Sequence, residues 1–129
     1  MRAKPAHGFK IKRVYAAPAE GDGFRVLVDR LWPRGTSKAK ARIDLWLKDV
    51  APSDALRRRL HGDPEKWCEF VAAYAGELRE EPGRAAVATL RERAGRQTVT
   101  LLYAARDEEH NNAVALMALI EGQASTPLR

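Results

Sequence analysis

Two runs in this chain are apolar without alternation: V-L-V at 26–28 and L-L-Y-A-A at 101–105, the latter led in by Q-T-V-T. A strand wetted on one face alternates apolar and polar side chains, whereas a continuously apolar strand needs cover on both faces. Helices supply such cover, and helical periodicity dominates the residues between the two runs. Trp67, Phe70, Val71, Tyr74 and Leu78 recur at i, i+3, i+4, i+7 and i+11. Asp63 stands as N-cap of that helix and Pro64 at its first position. A helix before it, 53–61, starts at Ser53 and stops at Gly62. Another, 84–94, is built on Ala86, Val87 and Leu90, and a last one on Val114, Leu116, Met117 and Ile120. Residues 34–42 are polar and read as irregular, while Ile43, Trp46, Leu47 and Val50 fall at helical spacing.

An earlier strand, F-K-I-K-R-V-Y at 9–15, alternates apolar and basic residues and is expected to be half-buried. The order of elements predicts an α/β fold: a small, mostly parallel sheet flanked by helices, in a single compact domain over residues 1–129. The linker at 16–23 is too short for a crossover helix, so hairpin statistics favour antiparallel pairing of the first two strands.

Composition narrows the class. A hydrophobic fraction of 45% over 129 residues can build an ordinary core and excludes disorder. No apolar run reaches the roughly 18 residues of a membrane span, and the N-terminus lacks the apolar stretch of a signal peptide. One cysteine, Cys68, cannot form an intrachain disulfide, which fits a cytoplasmic location. Beside Trp67 it reads as buried. The net charge of +6 favours anionic partners. Nucleic acid is not favoured among them, because the basic residues are spread. The cluster R-R-R at 57–59 already suits the negative end of a helix. No membrane partner is expected, and the oligomeric state is open.

Polar residues follow both buried strands directly. V-D-R-L-W-P-R-G (28–35) carries Asp29, Arg30, Trp32 and Arg34, with Lys38 shortly after. L-L-Y-A-A-R-D-E-E-H-N-N (101–112) carries Tyr103, Arg106, Asp107, His110 and Asn111. If the two strands are parallel, their C-terminal ends share one sheet edge, where α/β proteins place ligands. Arginine forks suit carboxylate or phosphate, so Arg30, Trp32, Arg34, Lys38, Tyr103, Arg106, Asp107 and Asn111 are candidate ligand contacts. Asp29, as base or orienting acid, and His110, as proton carrier near neutral pH, are the catalytic candidates. The competing reading is plainer: a solvated turn at 29–35, an ordinary helix-starting acid at Asp107, and a packing role for Trp32.

H-G-D at 61–63 offers His61 and Asp63 as metal ligands with His110. A helix end followed by a helix start explains the same residues, and zinc spacings such as C-x-x-C are missing. No metal site is therefore assigned. His7 carries no signal. No G-x-G-x-x-G, phosphate loop, G-x-S-x-G or H-E-x-x-H occurs, so the cofactor is unknown. The residues lead to a cytoplasmic protein with an anion-binding cleft that takes a phosphate- or carboxylate-bearing small molecule or nucleotide, as an enzyme or as a binder. The alternative is a non-catalytic nucleic-acid-binding or regulatory protein. A third reading, an interaction module, would expose Trp32 or Trp46 in an apolar patch.

Five segments in order carry a family resemblance: V-D-R-L-W-P-R-G, L-W-L-K-D-V-A-P-S, H-G-D-P-E-K-W, Y-x-x-E-L at 74–78, and V-T-L-L-Y-A-A-R-D-x-x-H-N-N-A. Over about residues 9–121 the chain resembles the YeaO-like branch of the domain of unknown function 488. The resemblance implies a single α/β domain and no established activity. It also implies that the first two strands are parallel neighbours, against the hairpin statistics. The broader family resembles a pattern with D-V-R after an early strand and C-H-R after a late one. Asp29–Arg30 would stand in the first place and His110–Asn111 in the second. This chain lacks the cysteine and the arginine of the second pattern, so thiol chemistry is not implied.

Overall fold

Strand β4 (Val99–Tyr103) is buried at every position and is paired on both sides. This computed structural model describes residues 8–60 and 63–125. Strands β1 (Phe9–Arg13), β2 (Phe24–Leu27) and β3 (Leu45–Trp46) complete a sheet ordered β1-β4-β2-β3, parallel at every pairing. The α/β class and the parallel sheet agree with the sequence expectation.

The first two strands do not pair. Phe9 and Phe24 both face Val99 in register, so β4 lies between β1 and β2. Both hairpin pairing and direct adjacency are thereby corrected. A short loop forces two strands into contact only if no better partner exists. Here β4, buried throughout, satisfies the inner edges of both and is covered by them in return.

The pleat divides side chains between two layers. Val26, Val28, Val99, Leu101 and Tyr103 join the larger core with Phe70, Tyr74, Leu78, Ala86, Val87, Leu90, Leu116 and Ile120. Those partners come from α3 (Trp67–Leu78), α4 (Gly83–Ala94) and α5 (Asn112–Ser125). On the other face Val14, Leu27 and Leu102 pack with Ala41 and Ile43, bordered by Trp32 and Trp46. The tryptophan rings meet edge-on at 5.1 Å. The exposed tryptophan patch of the interaction-module reading is thus corrected: both rings are partly buried against this smaller core.

Residues 43–50 do not form a helix. The carbonyls of Arg25 and Leu27, on the open edge of β2, accept hydrogen bonds from the Asp44 and Leu47 N–H groups at 2.8 and 2.9 Å. That capture makes β3, and a 3-10 turn at Lys48–Val50 follows. Nor is 34–42 wholly irregular: Ser37 Oγ caps the short helix α1 (Lys38–Ala41) by accepting from Lys40 N–H at 3.0 Å. Ser53 caps α2 (Asp54–Leu60) as expected, accepting from Leu56 N–H, while its hydroxyl donates to Glu77 at 2.6 Å. The helix expected from Pro64 opens with a 3-10 turn, Pro64–Lys66.

Cys68 is exposed, contrary to expectation, because Phe70, Tyr74 and Leu78 set the inward face of α3. His61 and His7 lie outside the described residues. Among the described residues no helix is long and apolar enough to cross a membrane.

Candidate functional site

Parallel strands deliver their following residues to one edge of the sheet. Val28 N–H donates to Leu102 O at 3.1 Å and Val14 N–H to Tyr103 O at 2.7 Å, so the ladder runs on past the strand ends. Asp29 then takes over. Its Oδ2 accepts from Ala104 N–H at 3.0 Å, and its own carbonyl accepts from Trp46 Nε1 at 2.8 Å. Asn112, at the start of α5, donates from Nδ2 to Val28 O at 2.9 Å. Asp29 therefore ties the end of β2 to the end of β4.

A cleft of about 940 Å³ opens above this junction. Asp29, Arg30, Trp32 and Arg34 line it from the first segment, and Arg106, Asp107, His110 and Asn111 from the second. The structure brings these residues together across the sequence gap. It does not bring in the other two candidates. Tyr103 is buried within β4, where burial and then the charge of Glu108 raise its phenol above the usual value. Lys38 opens α1 and does not line the cleft.

Each lining residue has its own local cause. Asp107 Oδ1 accepts from the backbone N–H groups of Glu109 and His110 at 2.9 and 3.0 Å. Those bonds, Glu109 first, hold its carboxyl below the ordinary value. Its Oδ2 lies 3.1 Å from His110 Nδ1, and the imidazole stands edge-on to Trp67 at 5.2 Å. Asn111, almost fully buried, donates to Asp107 O and accepts from Val114 N–H, which caps α5. His110 is thus oriented from two sides, as a proton carrier requires. Trp32 is mainly a packing residue, donating from Nε1 to Thr36 O at 3.1 Å.

The arginines divide into engaged and unengaged. Arg30 reaches the carbonyls of Pro52 and Ala51, and Arg57 pairs with Asp54 at 3.2 Å. Arg13 donates to the carbonyls of Ala105 and Ala104 and lies 5.0 Å from the Tyr15 ring centroid. The side chains of Arg34 and Arg106 make no hydrogen bond or ion pair among the described residues. Arg13, Tyr15, Leu31, Arg57 and Asn112 line the cleft without having been candidates. Arg13 ends β1 and Tyr15 follows two residues later, so the same strand-end argument finds them once β1 is known to be parallel to β4. Arg57 gives no such signal in the sequence, where its helix terminus accounts for it wholly. Among the described residues no group of three or more His, Cys, Asp or Glu side chains is placed to hold a metal ion.

Burial raises the Asp29 carboxyl above the ordinary value, outweighing the hydrogen bonds from Ala104 and Asn112 and the charge of Arg57. A raised folded-state value means that ionisation opposes folding, so stability is lost as pH rises through that value. Asp29→Asn keeps an acceptor for Ala104 N–H and removes the charge. Urea denaturation is expected to show the variant gaining on the native chain between pH 4 and pH 8. A variant that instead lost ground toward pH 8 would show that the fold needs the ionised carboxylate.

Residues 8–127 match the family described as "Inactive DUF488-N3 subclade". An uncharacterized protein of Mycobacterium tuberculosis is 42% identical over 114 residues, covering 88% of this chain and 94% of that protein. The uncharacterized protein YeaO of Escherichia coli is 40% identical over 107 residues, covering 81% of this chain and 90% of YeaO. No solved structure matches the chain. With a family match across nearly the whole fold, and relatives aligned over nearly their whole lengths, the chain belongs to the YeaO-like DUF488 family, in the DUF488-N3 subclade described as inactive.

Proposed function

We propose that this protein binds a carboxylate- or phosphate-bearing small molecule or nucleotide in the cleft at the strand ends. The observation that carries the reading is the pair Arg34 and Arg106. Both line one cleft and neither is engaged by a carboxylate or carbonyl among the described residues, whereas the other arginines there are. A guanidinium without a partner in a concave site is available to an anion, which it grips by two parallel hydrogen bonds. Asp29 and His110 stand in the same cleft and supply acid and base character if the ligand is turned over. The described lining residues contain no serine, threonine or cysteine. The subclade description as inactive points the same way, so we favour binding over catalysis.

Thermal denaturation against a panel of carboxylates, sugar phosphates and nucleotides tests this. A ligand at a hundred times its dissociation constant adds about 2.7 kcal/mol, which raises Tm by roughly 10 °C for a domain of this size. Arg34→Ala is expected to weaken the hit by roughly 10- to 100-fold, the range for a lost hydrogen bond to a charged group. If no member of the panel shifts Tm, or Arg34→Ala binds the hit unchanged, the reading fails. Binding of duplex DNA that collapses between low and moderate salt would favour the nucleic-acid alternative instead.

A further inference from the structure

Two large hydrophobic side chains stand out as exposed among the described residues, Tyr15 at 45% and Leu31 at 61%. Both line the arginine cleft. Single exposed apolar residues are ordinary on a protein surface, but two converging on one charged cleft form a local apolar surface beside it.

Tyr15 is also held in place. Its hydroxyl donates to the carbonyl of Arg34 at 2.8 Å, which fixes the ring next to the segment that carries one unengaged arginine. The Arg13 guanidinium, a flat cation, already lies against this ring. Arg13 is itself anchored by the carbonyls of Ala104 and Ala105, directly before Arg106. A fixed aromatic ring thus sits between the two unengaged arginines in the chain of contacts. An inorganic anion would satisfy the arginines and leave Tyr15 and Leu31 wet. A flat ring carrying the same anion would cover them, because offset or edge-on packing on a tyrosine needs a planar partner.

We propose that the ligand is a planar aromatic anion, its ring seated against Tyr15 and Leu31 and its charge held by Arg34 and Arg106. This rests on the anion-binding reading above and adds the identity of the group attached to the charge. Aromatic carboxylates and nucleotides share this chemistry, and paired probes separate them: indole-3-acetate against hexanoate, and adenosine monophosphate against ribose 5-phosphate.

Titration calorimetry of the full chain is expected to show the aromatic member of at least one pair binding about tenfold more tightly, the usual worth of one ring stacked on an aromatic side chain. The pair that shows the preference identifies the source. Tyr15→Ala is expected to remove that preference, so that the aromatic and non-aromatic members of the pair bind equally. Tyr15→Leu, which keeps apolar cover over Arg13, repeats the test if the alanine variant does not fold. Tyr15→Phe keeps the ring and is expected to keep the preference. Equal binding within both pairs, or a preference that survives Tyr15→Ala or Tyr15→Leu, overturns the aromatic assignment and leaves the anion site standing. If no probe binds and inorganic phosphate also fails, both readings fall together.

Discussion

Asp22→Ala is expected to destabilise the protein by about 3–5 kcal/mol, the range for removing one partner from a buried ion pair. Asp22 is 1% exposed and receives the guanidinium of Arg25, itself 3% exposed. Lys12 Nζ lies 2.9 Å from both of its carboxylate oxygens, and Lys10 Nζ 3.3 Å from one. The Ala19 N–H donates to the same carboxylate at 3.0 Å. Arg25 also donates from Nε and Nη2 to the carbonyls of Ala41 and Arg42. Deleting the acid would leave three cations on one sheet face, the guanidinium among them without access to water. Lys10 and Lys12 keep partial contact with solvent, so the loss is concentrated on Arg25.

The same cluster sets an acid limit. Burial alone would raise the Asp22 carboxyl, but Lys12, the Ala19 N–H and Lys10 outweigh it and hold it well below the ordinary carboxylate range. A depressed folded-state value means that the contribution is complete above the unfolded value of about 3.9 and is lost as pH falls below it. Urea denaturation at pH 7 and pH 3 should therefore show a smaller gap between native chain and variant at the lower pH. A loss below about 1 kcal/mol at pH 7 would mean that water, not Asp22, compensates Arg25.

Gly23→Ala, one residue on, is expected to cost roughly 3–5 kcal/mol or prevent folding, combining left-handed backbone with a steric clash. Gly23 has φ 65°, and a Cβ there would collide with the carbonyl oxygen of Thr98 and lie 2.9 Å from its carbon. The obstacle is backbone and cannot swing aside. That carbonyl accepts from Phe24 N–H at 2.8 Å, the first rung between β2 and β4. Gly35→Ala is the control, since φ is 73° but nothing lies within 4 Å of the added carbon. It should cost only about 1 kcal/mol, the conformational part. Thermal denaturation of the two variants separates the terms. Equal losses would show that β2 shifts to make room.

Asp22 and Gly23 both lie in A-P-A-E-G-D-G, which the sequence marks as a loop by composition and nothing more. Asp22 looks like any turn acid until the pleat places Lys10, Lys12 and Arg25 on the sheet face beneath it. Cys68 shows the converse: adjacency to Trp67 suggests burial, but neighbours on a helix face different ways. The candidate site was more legible. Polar residues placed directly after two strands must meet if those strands are parallel, and eight of the ten candidates do line one cleft. Tyr103 fails because it still belongs to the strand, and Lys38 because α1 carries it to another part of the surface.

Local pattern alone determined the buried run at 26–28, a second strand within 97–105 that the structure limits to Val99–Tyr103, the amphipathic helix around Phe70 and Tyr74, and the Ser53 cap. Each depends on side chains a few residues apart, so each is written in the chain directly. The tertiary structure alone decided that β4 enters between β1 and β2, that Leu45–Trp46 becomes an edge strand, and that Tyr15 and Arg13 join the cleft. Those outcomes are choices of hydrogen-bond partner between distant segments. A strand's periodicity states which faces need cover; it does not state which backbone will occupy its edge.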